Sequence, residues 1–333
     1  MKRAAVLAAG CLFWAACAGP GDEGKGTPSE GPPAPLPAAL AAEPPWADLV
    51  RHAAPPPPAR VLHPAPSPDG RLVAYATTEF GPRLQIAVRD ASGTAPARIT
   101  RADADHLFPR ISPDGRLVAY AANPDGNYDI FIARLDAPGA VRQITFEPGD
   151  DVAPAWSPDG KSLVYSARGT SGKWGLVVAD VAGRTRTYLG PGLYPDWSPD
   201  SKDPWICFQS APSGPEGWSG LWRIRPDGTQ LREVMAGGPD LGSAVHPRFS
   251  PDGRWIAYAR TGRSFDAAAV LAPEDADDLW AVRSDGAFET RLTEGGPKNS
   301  WPAWAAGRLF FVSDRAGGRG LWSFRVKPLE EEP

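Results

Sequence analysis

One phrase recurs six times between residues 64 and 310: a proline, two variable residues, then Ser-Pro-Asp-Gly or a worn version of it, then an apolar run. The copies run from Pro64 to Gly70, Pro109 to Gly115, Pro154 to Gly160, Pro195 to Ser201, Pro247 to Gly253 and, decayed, Pro302 to Gly307. Measured at Ser67, Ser112, Ser157, Ser198, Ser250 and Ala305, the steps are 45, 45, 41, 52 and 55 residues. A unit of that length is a four-stranded antiparallel blade that buries its apolar faces only by stacking on its neighbours, so the period predicts an all-β, six-bladed β-propeller.

The third copy shows how a repeat builds a blade. Pro154-Ala155-Trp156-Ser157 reads as a short strand a, because proline is tolerated at a strand's first residue. Pro158-Asp159-Gly160 turns the chain, with proline presetting φ and glycine taking the position closed to side chains. Strand b follows; its relatives Leu72-Val73-Ala74-Tyr75, Leu117-Val118-Ala119-Tyr120 and Trp255-Ile256-Ala257-Tyr258 are apolar on both faces, as a strand between stacked sheets must be. Strand c reads Asp129-Ile130-Phe131-Ile132, Gly220-Leu221-Trp222 or Gly320-Leu321-Trp322. A polar strand d, such as Arg142-Gln143-Ile144-Thr145 or Thr290-Arg291-Leu292-Thr293, protects the outer edge. After the sixth strand c only residues 326 to 333 remain, so Ala59-Arg60-Val61-Leu62 is expected to serve as the missing strand d and to close the ring.

These phrases resemble the TolB-type β-propeller, whose blades carry Pro-x-Trp-Ser-Pro-Asp-Gly-Lys/Arg, a Ser-x-Arg-x-Gly loop and a closing Arg-x-Leu-Thr. The matches include Pro154 to Lys161, Ser313-Asp314-Arg315-Ala316-Gly317 and Arg291-Leu292-Thr293. The resemblance spans residues 59 to 327 and covers propeller repeats only; the stretch before residue 59 is too short for the α/β domain that TolB carries ahead of its propeller. It implies a non-catalytic protein that binds another envelope protein, such as a Pal-like peptidoglycan-associated lipoprotein, through one loop face.

Lys2-Arg3 followed by the apolar stretch Ala4 to Ala16 reads as a secretory signal, too short to span a membrane. Ala15-Ala16-Cys17 resembles a lipobox, which makes residues 1–17 a lipoprotein signal peptide ending at an acylated Cys17; Ala8-Ala9-Gly10-Cys11 is a rival box, and an unlipidated secreted form is the third reading. The expected place is the bacterial cell envelope, at the outer membrane facing the periplasm. Residues 18–58 form a tether rich in proline, glycine and alanine that would reach about 35 to about 130 Å. Within it, Trp46, Leu49, Val50 and Ala53 fall on one helical face, which predicts a short helix over 45–53. Residues 328–333 are a tail. Cys207 stands alone in strand b of blade four, where a buried, inert thiol is expected.

A net charge of -4 offers no basic field to nucleic acid. No Gly-x-Ser-x-Gly, His-Glu-x-x-His, phosphate loop or Cys-x-x-Cys occurs, so no catalytic residue, metal or cofactor is assigned. His63, His106 and His246 all fall in connections from strand d to the next strand a, beside the channel mouth, with Asp151 and Asn299 in the same connection of other blades. Converging imidazoles would make a metal site like those of some propeller lyases; isolated polar residues are the plainer reading. The loops from strand b to strand c share that face, and two are long. One carries Trp218, an interface anchor between glycines. The other carries Asp266, Glu274, Asp275 and Asp277, a surface for a basic partner, a weak calcium site or a solvated loop. The leading expectation is a monomeric envelope lipoprotein acting as a protein-interaction scaffold; the alternative is a carbohydrate-active or other lyase or hydrolase working at the channel mouth.

Overall fold

The computed structural model describes residues 46–56, 58–93, 95–182, 184–212, 217–264, 270–271 and 276–329. The proposed signal, Cys17, Cys11, most of the tether and residues 330–333 lie outside them. The unit from Pro44 onward is a ring of six four-stranded antiparallel sheets. Its first strand is β1 (Trp46–Ala53). Blade one is β2 (Val61–Pro66), β3 (Leu72–Thr77), β4 (Gln85–Asp90) and β5 (Ala97–Arg98); blade two is β6 (His106–Ile111), β7 (Leu117–Ala122), β8 (Asp129–Arg134) and β9 (Val141–Gln143). Blade three is β10 (Asp151–Trp156), β11 (Ser162–Arg168), β12 (Trp174–Asp180) and β13 (Arg186–Pro191); blade four is β14 (Leu193–Trp197), β15 (Ile206–Gln209), β16 (Leu221–Ile224) and β17 (Arg232–Met235). Blade five is β18 (Ser243–Phe249), β19 (Trp255–Thr261), β20 (Asp278–Arg283) and β21 (Glu289–Arg291), and blade six is β22 (Asn299–Ala305), β23 (Arg308–Ser313) and β24 (Gly320–Val326), completed by β1.

The ring does close with an N-terminal strand, but with Trp46–Ala53 rather than Ala59 to Leu62. Val61 and Leu62 instead begin β2, because each inner strand reaches back beyond its repeat proline. The helix expected over 45–53 is likewise a strand. An isolated helix that short is marginal in water, whereas an extended segment satisfies the open edge of β24, pairing Trp46 with Val326 and Ala53 with Leu321. Trp46 stacks on Phe324 at 5.4 Å. His52 is fixed from both sides: its Nδ1 meets the Ala91 carbonyl at 3.0 Å, which can only accept, so Nε2 is left to accept the Ser323 hydroxyl at 2.7 Å.

The Ser-Pro-Asp-Gly phrase is a hydrogen-bonded clasp. In blade one the Ser67 hydroxyl donates to Asp69 at 2.5 Å while its oxygen accepts from the Leu72 amide at 3.0 Å, and Asp69 accepts the Arg71 amide at 3.0 Å. The serine bonds recur at Ser112, Ser157 and Ser250. Gly70, Gly115, Gly160 and Gly253 close the turn at φ near 70°, a conformation that disfavours a Cβ. The Ser67 bond holds the Asp69 carboxyl below its usual range. Cys207 is buried in β15, and burial raises its thiol pKa well above normal.

Candidate functional site

Every inner strand breaks its ladder at the same place. The residue before the repeat proline has φ between 49° and 58° in all six blades: His63, Phe108, Ala153, Tyr194, His246 and Trp301. The pairing register slips across each of them, as between Leu62 and Ala65 or between Val245 and Arg248. These are β-bulges that re-aim one side chain per blade. Proline disfavours the right-handed helical conformation in the residue before it, which narrows the alternatives to extended or left-handed backbone.

Five of the six re-aimed side chains are rings, and they meet. His246 stacks on Trp301, with ring centres 3.4 Å apart, and His63 stands edge-on to Trp301 at 4.2 Å and stacks on Phe108 at 4.0 Å. Tyr194 contacts Phe108, His246 and Trp301 at 5.9, 4.7 and 5.6 Å. All are buried, so the channel is stopped by an aromatic plug. Burial drives the pKa of both histidines well below 6.5, helped at His63 by His246 and at both by the Arg110 guanidinium. The Phe108 amide donates to Nδ1 of His63 at 3.3 Å, which a neutral ring can accept. Two residues further along the inner strands, Arg110, Asp196 and Arg248 take the places that Ala65, Ala155 and Ala303 hold elsewhere. Burial pushes Asp196 up to about 6, against the pull of Arg110, and Asp196 accepts the Phe249 amide at 2.9 Å.

His106, Asp151 and Asn299 belong to a different layer, three residues before the repeat proline. Each sits beside the closing threonine of the preceding blade. That threonine ties strand d to strand c: Thr145 accepts the Ile130 amide at 2.8 Å and donates to Asp129 at 2.9 Å, Thr100 does the same for Ile86 and Gln85, and Thr293 for Leu279 and Asp278. Asn299 donates to Thr293 at 3.3 Å and to the Pro297 carbonyl at 2.9 Å, and Nδ1 of His106 meets the Leu84 carbonyl at 3.2 Å. The three histidines therefore do not converge: His63 and His246 flank Trp301, while His106 packs near Tyr120. Among the described residues, no three His, Cys, Asp or Glu side chains group as metal ligands.

Asp151 lines a groove of about 610 Å³ between blades two and three. Its walls are Glu147 to Gly149, the Arg168 to Lys173 loop, Tyr165, Gly175, Val177, Arg186 and Tyr188. The matching groove between blades one and two, beside His106 and Tyr120, is about 250 Å³. Register explains the difference. In blades two, four, five and six the strand b aromatic faces a large ring on strand c (Tyr120 with Phe131, Phe208 with Trp222, Tyr258 with Trp280, Phe311 with Trp322), whereas Tyr165 faces Val177 and, in blade one, Tyr75 faces Ala87. Gly175 also stands where blades two and five have Asp129 and Asp278, and the exposed Tyr188 ring lies over it. Desolvation raises Asp151 to about 7; Thr145 lowers it, and the charges of Asp129 and Glu147 raise it further. Arg186 pairs with Glu147 at the rim, and Arg168 with Asp150 at 3.6 Å. Of these residues only Asp151 stands out in the sequence; the signal for the rest is the missing large residue at Val177 and the missing acid at Gly175.

On the long loops, Trp218 is half-buried, and Asp277 accepts the Gly262 amide at 3.1 Å and pairs with Lys298. Asp266, Glu274 and Asp275 lie outside the described residues.

The architecture and its motifs have counterparts. A family model described as the TolB beta propeller domain matches residues 57–183 and, overlapping, 83–272. No curated protein matches the chain. Among solved structures, a putative TolB from Agrobacterium tumefaciens is 24% identical, with a TM-score of 0.59 over 82% of this chain and 92% of that one. TolB from Acinetobacter baumannii is 18% identical, with a TM-score of 0.56 over 79% and 66%. An oligogalacturonate lyase in complex with manganese is 14% identical, with a TM-score of 0.56 over 84% and 93%. TolB proteins and a lyase share this fold, so fold alone assigns no role. With a recurring Ser-Pro-Asp-Gly clasp, closing threonines and a family model spanning most of the ring, the chain belongs to the TolB-type β-propeller family.

Proposed function

We propose that this chain is a non-catalytic scaffold of the bacterial cell envelope, exported, acylated at Cys17 and held at the outer membrane facing the periplasm. It binds an envelope protein or a peptidoglycan-associated lipoprotein through the face that carries the d-to-a connections and the b-to-c loops. The observation that carries this reading is the aromatic plug. His63 and His246 are 5% and 0% exposed and pack against Trp301, so the channel mouth offers a partner a rigid surface, not a chamber with accessible reacting groups. The half-buried Trp218 and the groove at Asp151 give that surface an aromatic anchor and a recess.

In-cell crosslinking and capture from envelope extract test the surface. Loss of a partner on Trp218→Ala with Asp277→Asn is expected; an identical partner set with and without these changes refutes the assignment. Mass spectrometry of the mature N-terminus tests the anchor, with a diacylated or triacylated Cys17 expected and an unmodified terminus contradicting it.

A further inference from the structure

Blade six contains its own occupant for the place that is empty in blade three. There Arg315 lays its guanidinium over the rings of Phe311 and Trp322, 4.9 and 5.3 Å from their centres. It donates to the Asn299 side-chain oxygen at 3.0 Å and to the Ser313 hydroxyl at 3.1 Å. The pairing of Asn299 with Ser313 matches that of Asp151 with Ala167, and the pairing of Phe311 with Trp322 matches that of Tyr165 with Val177. Counting two residues on from Ser313 and from Ala167 sets Gly169 opposite Arg315. Arg168, one residue earlier, is engaged with Asp150 and the Trp174 ring. Blade three thus keeps the aromatic and the acceptor but has glycine where blade six has Arg315, and its own Arg186, which acts on Asp151 through its charge, is bonded to Glu147 at the rim. Blade five also fills the corresponding space with a cation, since Arg260 lies 4.0 Å from the Trp280 ring centre.

We propose that the groove between blades two and three binds the guanidinium of an arginine side chain supplied by a partner polypeptide. The groove takes Asp151 as its acceptor, Tyr165 and Tyr188 as its ring faces, and the room left by Val177 and Gly169 as its seat. Where blade six meets its own arginine with a neutral amide, blade three offers a carboxyl group, the stronger acceptor for a cation. Tyr188 in the lining is 65% exposed, and Phe146, 69% exposed, directly precedes the lining residue Glu147, so the two rings are placed to meet the residues flanking that arginine. This deepens the reading of the loop face as a recognition surface and rests on it.

The charged and titratable groups around Asp151 are Asp129 on β8, Glu147 and Asp150 in the connection, Tyr165 on β11, Arg168 and Lys173 in the loop, and Arg186 on β13. The carboxyl must be ionised to pair with a guanidinium, and burial has moved its titration to about 7. Affinity therefore rises with pH, about tenfold between pH 6 and pH 8.

The probe is N-acetyl-arginine methylamide titrated into the ¹⁵N-labelled full chain, with the citrulline analogue as an uncharged isostere. Saturable shifts at Gly169, Gly172 and Gly175, at least tenfold weaker citrulline binding and the stated pH dependence are expected. Gly169→Arg plants the blade-six occupant in the groove, and a Cβ at Gly169 meets nothing closer than 3.7 Å, so this variant is expected to fold and to lose probe binding. Val177→Trp, the residue that blades four to six carry there, gives the same result by filling the space. Citrulline binding as tightly as arginine, affinity indifferent to pH, or folded Gly169→Arg retaining the probe overturns the assignment. These readouts use a small molecule, so they stand or fall separately from capture of an envelope partner.

Discussion

Replacing His246 by phenylalanine should change how stability depends on pH while leaving the plug in place. The substitution keeps a flat ring for Trp301 and Tyr194, and the same bulge already carries Phe108 in blade two at nearly the same φ, 53° against 57°. In the folded chain burial holds His246 neutral, well below its ordinary 6.5, whereas in the unfolded chain it protonates normally. Below pH 6.5 the unfolded state therefore takes up a proton that the folded state refuses, and the wild type loses stability as pH falls. From pH 7.5 to pH 5.5 that loss is about 1.4 kcal/mol for this one group, and it grows by about 1.4 kcal/mol per further unit until the folded ring itself titrates. The variant lacks this liability. Removing the imidazole nitrogens and adding a phenyl edge shifts stability by an amount independent of pH, so the informative quantity is how the stability difference between the two proteins changes with pH. Urea unfolding at pH 7.5, 6.5 and 5.5 measures it, and the variant should gain about 1.4 kcal/mol on the wild type across that range. A difference that stays level with pH would mean that His246 is freely protonated in the folded chain, and the description of the plug as a neutral packed cluster would be wrong.

Removing residues up to 54 should expose the edge of β24, lower the melting temperature and promote self-association through that edge, measured by calorimetry and light scattering; a monomer with an unchanged melting temperature contradicts the closure by β1. Thr145→Val removes the hydroxyl that serves both Ile130 and Asp129, and should cost about 2 to 4 kcal/mol in urea unfolding, whereas a cost under about 0.5 kcal/mol would make the closing threonine ornamental. Asp151 is raised to about 7, so its ionised form opposes folding above that pH and the opposition fades as pH falls toward the unfolded value. Asp151→Asn should consequently stabilise the chain by about 4 kcal/mol at pH 8 and by about 3 kcal/mol at pH 6; equal effects at both values would refute the shift.

The repeat makes the blades legible because each Ser-Pro-Asp-Gly clasp is local: its bonds join residues two to five positions apart. Closure is legible only in kind. The closing segment, Trp46 to Ala53, carries a helical apolar spacing inside a stretch with a tether's composition, and only the open edge of β24, distant in sequence, makes it extended. A repeat proline marks a natural strand start, yet the bulge before it lets pairing continue further back, and this is why Val61 and Leu62 belong to an inner strand despite resembling an outer one. The same bulge separates His63 and His246 from His106, residues that fall together along the linear chain. The groove is visible in principle. Ala87, Phe131, Val177, Trp222, Trp280 and Trp322 occupy one position across the blades, but what a small residue there leaves open depends on which aromatic it faces and which loop it lies under.

The ladder between β1 and β24 has a temporal consequence. Trp46 finds its partner only at Val326, so the earliest of these strands to emerge during synthesis must wait, unpaired, for the latest. Contacts so remote along the chain make ring closure the slow, concluding step of folding. A polypeptide halted at any point before β24 leaves Trp46 without its seat, and its first strand is then free to add to the edge of another molecule.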